Sequence, residues 1–154
     1  MRILLPVDES PYSQAALRAV LTQFQPRGIQ VRVLCVIEPL TGYFTAGLVP
    51  EFVTQNPQID LSREQESKKL VKGVAAKLRQ AGFTASEMVD TGDPTSLILD
   101  NAKTWRADLI VMGSHSLRGL SRLLLGSVSE SVVRHAECSV EVVRVRGLVK
   151  RKAS

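Results

Sequence analysis

The chain is poor in aromatic residues, at 5% of 154 positions, and holds two cysteines, two histidines and one tryptophan. Neither cysteine belongs to a CxxC pair and no histidines cluster beside them, so the spacing offers no metal site. Cys35 and Cys138, in or next to apolar segments, read as reduced packing residues. Long apolar runs are also missing. Nothing approaches the roughly 18 consecutive apolar residues of a membrane span, and the opening MRILLPVDES breaks its apolar stretch too early for a secretory signal. The expectation is a soluble, cytoplasmic protein with no membrane partner. Excess charge is modest as well: the formal net charge is +5, and several of the cations lie in the final RVRGLVKRKAS, which reads as a solvated tail. Nucleic acid is therefore a disfavoured partner.

What is present is 44% hydrophobic residues, enough at this length to bury one core and too few for two. RILLPV predicts a strand ending at Asp8, and SPYSQAALRAVLTQF a helix with Ser10 as N-cap and Pro11 in its first position. GIQVRVLCVIEP predicts a second, buried strand. Residues 38–60 carry Pro39, Gly42, Gly47, Pro50 and Pro57 and read as a long loop with at most one helical turn. Leu61 to Gln80 has Leu70, Val71, Val74, Ala75 and Leu78 at helical spacing and stops at Gly82. FTASEMVDTG is a more polar strand, DPTSLILDNAKTW a helix capped by Asp93, ADLIVMG a buried strand, SVSESVVRHA a helix and CSVEVVRVR a final strand. Strands alternating with helices imply parallel pairing through right-handed crossovers, hence an α/β doubly wound sheet with helices on both faces. Ligands of such sheets gather at the carboxyl ends of the strands near the topological switch point. That directs attention to Val7 and Asp8, Val36 and Ile37, and Met112 onward.

The last of these opens MGSHSLRGLSRLLLGSVSE: Gly113, twelve residues, then Gly126 and Ser127 at a helix start. A helix N-terminus offers free N–H donors and partial positive charge, Gly126 permits close approach or an unusual backbone angle, and Ser127 and Ser129 add hydroxyls, a combination suited to phosphate. The bland alternative is a capping box of Ser127 with Glu130 that binds nothing. Asp8 has two readings too, as a turn residue or as an acceptor for a ribose or base hydrogen bond. His115 and His135 sit in no Ser/His/acid or Cys/His pattern, and Arg118 and Arg122 are ordinary loop arginines beside the phosphate reading.

GSHSLRGLSRLLLGSVSE resembles the nucleotide loop of the universal stress protein family, ILLPVDES its first strand, DTGDPTSLILDNAKTWRADLIVMGSHS its third strand through its fourth, and VVRHAECSVEVVR its final helix and strand. The likeness leaves residues 38–60 and the basic tail least covered. It implies a domain over residues 1–146 followed by a flexible tail, 147–154, and a five-stranded parallel, Rossmann-like sheet in the order 3-2-1-4-5. Nucleotide-binding members carry glycine, two residues, glycine, nine residues, glycine, then serine or threonine. This chain matches at Gly113, Gly126 and Ser127 and departs at the second glycine, where Ser116 stands; Gly119 is too close to Gly126 to replace it.

By that resemblance, Pro6, Val7, Asp8 and Val36 frame adenine and ribose, Met112 and Gly113 line base and sugar, and Ser116 approaches the phosphates. Gly126, Ser127, Val128 and Ser129 supply phosphate donors. The implied ligand is an adenine nucleotide, ATP or else AMP or ADP, with Mg²⁺ carried by the nucleotide. The implied role is a sensor or regulator in the stress response. No positioned base or acid is evident for efficient hydrolysis, so the chain is at most a slow ATPase. Members of the family commonly pair their last strand across a homodimer, which places Val140, Val142 and Val143 near the seam. The alternative is a nucleotide-free interaction module of the same family. Enzymes of similar fold fit less well: an ATP pyrophosphatase needs SGGxDS where VDESPYS stands, and a receiver domain needs a lysine ending the fifth strand, where VVRVRG stands.

Overall fold

A computed structural model describes residues 1–41, 45–54, 56–114 and 125–145. The elements run β1 (Arg2–Pro6), α1 (Pro11–Gln23), β2 (Gln30–Ile37), a short α2 (Glu51–Thr54), α3 (Pro57–Gln80), β3 (Thr84–Thr91), α4 (Pro94–Thr104), β4 (Leu109–Gly113), α5 (Ser127–His135) and β5 (Ser139–Val143). All strand pairs are parallel, as the strand and helix alternation predicts, and the sheet order is β3-β2-β1-β4-β5, as the family resemblance implies. The order reverses beside β1, so β1 and β4 diverge in connectivity at their carboxyl ends, where ligands collect in open sheets of this type.

Burial explains the strand sequences. β1 is central and covered on both faces, and Ile3, Leu4 and Leu5 are fully buried, which is why it reads as an unbroken apolar run. β3, at one edge, is only half-buried and correspondingly polar. On one face α1 and α3 pack Ala16, Val20, Val71, Ala75 and Leu78 against Ile3, Leu5, Val33 and Val111. On the other face α4 and α5 pack Ile98, Ala102 and Val132 against Leu4, Leu34, Ile110 and Met112. Each fully buried aliphatic side chain contributes roughly 1.5–3 kcal/mol of transfer free energy.

Three helices begin with the same device, a polar cap followed by proline at the first position. Ser10, Asn56 and Asp93 accept from the backbone N–H groups of Ser13, Gln58 and Ser96 respectively. The Asn56 cap makes α3 start at Pro57, four residues before the start that its hydrophobic spacing predicts at Leu61.

Candidate functional site

The carboxyl ends of β1 and β4 meet across the first turn of α1. Just past β1, Val7 is pinned by its N–H to the Leu34 carbonyl at 2.8 Å. Asp8 follows, and its Oδ1 accepts from the Ser10 N–H at 3.0 Å and the Ser13 hydroxyl at 2.7 Å; the Asp8 N–H in turn donates to Ser13 Oγ at 2.8 Å. Asp8 is thus a turn residue that locks the strand to the helix start, and Oδ2 has no hydrogen-bond partner among the described residues. Ser13 carries this lock with no signal of its own beyond the D-x-S-x-x-S spacing.

Gly113 ends β4 directly against this turn. A Cβ there would lie 2.6 Å from Tyr12 Cβ and 2.7 Å from the Tyr12 carbonyl carbon. Its glycine is explained by close approach of two backbones. Ser114 comes next, its N–H on the Val143 carbonyl at 2.9 Å and its own carbonyl accepting from the Gly126 N–H at 2.8 Å. The long loop therefore leaves and returns at one point. Its residues 115–124, including His115, Ser116, Arg118, Gly119 and Arg122, lie outside the described residues.

The return point opens α5. Gly126 is the N-cap in an ordinary extended conformation, φ −64° and ψ 154°, so the latitude of glycine is not used for an unusual angle. Ser127 is the first helical residue, and the capping box expected of Ser127 with Glu130 does not form: Glu130 pairs with Arg134 at 2.8 Å instead. Unlike α1, α3 and α4, this helix has no side-chain cap among the described residues. The Ser129 hydroxyl is buried and sits 3.0 Å from the Ser114 carbonyl and 2.9 Å from that of Gly126. It fastens α5 to β4, and Ser127 beside it is exposed. Val128 packs partly into the α4/α5 core, as does Val36, and Met112 is buried there. Pro6 is buried in β1.

The expected residues Pro6, Val7, Asp8, Val36, Met112, Gly113, Gly126, Ser127, Val128 and Ser129 thus all sit at or beside the carboxyl ends of β1, β2 and β4. Near them, burial pushes the Cys35 thiol up from its ordinary value, the Ser67 hydrogen bond pulls it partly back, and the charges of Asp8 and Glu9 push it up further. Both cysteines are free, consistent with packing roles. Arg63 of α3 reaches the Glu38 carbonyl beyond β2 at 2.7 Å, closing the flank of the site; no sequence pattern marked it. His135 lies at the other end of α5, its Nδ1 2.8 Å from the Ser131 carbonyl. Among the described residues no cluster of His, Cys, Asp or Glu is arranged to hold a metal, and no helix is long and apolar enough to cross a membrane.

This arrangement, a parallel 3-2-1-4-5 sheet whose fourth strand is tied at its carboxyl end to the start of the last helix, is a doubly wound, Rossmann-like fold. A universal stress protein family model matches residues 1–144, and the chain belongs to that family. Universal stress protein A homolog 2 of Coxiella burnetii is 34% identical over 121 residues, 79% of this chain and 78% of its own. The solved structure of MJ0577, a universal stress protein of Methanocaldococcus jannaschii, superposes with a TM-score of 0.80 at 27% identity, covering 95% of this chain and 96% of that one. More distant relatives share the fold. One is an Arabidopsis thaliana family protein solved with AMP bound, with TM-score 0.63 and 19% identity over 94% of this chain and 91% of its own. Another is a universal stress protein solved with cAMP, with TM-score 0.62 and 20% identity over 94% and 96%.

Proposed function

We propose that this universal stress protein binds an adenine nucleotide, ATP with its Mg²⁺, at the carboxyl ends of β1, β2 and β4, and acts in the cytoplasm as a stress-response sensor or regulator. The observation that carries the reading is the N-terminus of α5. It lacks a side-chain cap, follows directly from the point where Gly126 is tied to Ser114, and so leaves backbone donors and the positive end of the helix for phosphate. Asp8 Oδ2 and the Val36 backbone complete a polar and apolar frame for ribose and base. The family folds solved with AMP and with cAMP support the class of ligand. Hydrolysis is slow or absent in this reading, because no side chain among the described residues of the site is placed as a base toward a phosphate. The protein works as a homodimer joined along β5, whose outer edge is unpaired among the described residues and where Val140, Val142 and Val143 are half-buried.

The test is calorimetric titration of nucleotide-stripped protein with Mg-ATP and with AMP, beside Gly126→Asp and Ser116→Gly variants. Binding that Gly126→Asp abolishes is the expected result. Absence of heat for both nucleotides in the parent, restored by Ser116→Gly, would instead favour the second reading, a nucleotide-free interaction module, whose motivation is the serine standing where nucleotide-binding members have glycine.

A further inference from the structure

At the amino end of the sheet, the last turns of α4 and α5 converge on a cleft of about 360 Å³, within the size range of small-molecule sites. Its wall includes Asp100, Lys103, Arg106, His135, Glu137 and Cys138. Two helices of the chain end by the same hydrogen-bond pattern. In α3 the N–H groups of Gly82 and Phe83 return to the carbonyls of Arg79 and Leu78, and Gly82 has φ 94°. In α4 the N–H groups of Arg106 and Ala107 return to Lys103 and Ala102, and Arg106 has φ 53°. This motif requires a left-handed residue at the position after the cap, and glycine occupies it with least strain. Arg106 is the one non-glycine residue with positive φ among those described. Its guanidinium has no hydrogen-bond or ion-pair partner among them, whereas the neighbouring Lys103 is held by Glu137 at 2.7 Å.

We infer that this cleft binds a small molecule bearing an oxyanion head, a carboxylate or a phosphate, with Arg106 as the fork that grips it. A guanidinium offers two parallel donors matched to such a head, and Lys103, shared with Glu137, adds a second cation on the same helix end. Ala102, Ala107 and Cys138 give the non-polar part of the molecule a surface to rest on. The strained backbone at Arg106 then has a reason, since strain held at a helix end that glycine would relieve is a mark of function.

The test is a ¹H–¹⁵N NMR titration of the full chain with glutarate and, separately, with inorganic phosphate at constant ionic strength, following the amides of Ala107 and Cys138. Saturable shifts with one probe or both are expected, and the probe that binds more tightly identifies the head group. Arg106→Gly is expected to raise the melting temperature, which shows that the variant folds, while weakening binding by about tenfold or more. A linear, unsaturating response to both probes, or saturation just as tight in Arg106→Gly, would overturn the inference.

Discussion

At the carboxyl end of the sheet the polar side chains are short and turned largely on one another: Asp8 on Ser10 and Ser13, Ser129 on Ser114. At the amino end they are long and charged, and exposed except for the half-buried Arg32: Arg2 donates to the Trp105 carbonyl, Arg32 stacks 4.5 Å over the Trp105 ring, Lys103 pairs with Glu137, and Arg106 stands apart. Burial first, and then the Arg2 charge, hold the Arg32 guanidinium below its ordinary value. The two ends therefore offer a ligand different things. One presents backbone N–H groups on a framework made rigid by buried hydroxyls, which suits a fixed phosphate geometry. The other presents cations at the surface, whose grip on an anion is screened by salt.

That contrast predicts graded responses to substitution. The largest is at Gly113: Gly113→Val forces a side chain into the Tyr12 backbone and is expected to destabilise by about 1–3 kcal/mol, read as a lower urea midpoint, with nucleotide affinity falling alongside. Ser129→Ala removes a buried hydroxyl whose acceptors each keep another donor, since Ser114 O retains the Gly126 N–H and Gly126 O the Glu130 N–H. It should cost about 1 kcal/mol by the same measurement while leaving the donors of α5 in place. At the opposite end the sign reverses: Arg106→Gly is expected to stabilise by about 1 kcal/mol, and Gly82→Ala at the matching helix end to destabilise by a similar amount.

The smallest effect belongs to the cap of α4. Backbone and side-chain hydrogen bonds from Ser96 hold the Asp93 carboxyl below its ordinary 3.8. A lowered carboxyl contributes stability above its unfolded value and loses it as pH falls through the folded one. Asp93 is exposed, so screening keeps the contribution under about 1 kcal/mol. Thermal melts taken from neutral pH into the acid range should show Asp93→Asn losing part of the parent's acid sensitivity.

Much of this architecture was legible because apolar runs mark buried parallel strands and because Ser10-Pro11 and Asp93-Pro94 announce helix starts. Asn56-Pro57 is the same signal, masked by the prolines and glycines around it, which give the segment the composition of a loop. The candidate site was legible as a set of positions and less so as chemistry. Gly113 is glycine because of Tyr12, a contact between segments a hundred residues apart in the chain. Ser129 faces inward because of the phase of a helix whose cap proved to be Gly126 in place of Ser127. Arg106 carries no local mark at all, since nothing in DNAKTWRAD shows that an arginine occupies a glycine's conformation.

Nucleotide binding at the start of α5 is best tested by titrating the isotopically labelled, nucleotide-stripped protein with Mg-ATP and mapping which backbone amides respond. Saturable shifts are expected at Ser127, Val128 and Ser129, with Asp8 and Val36 following at the same concentration and Ala107 unmoved. Saturation with the α5 amides silent, or no saturation anywhere, would contradict it.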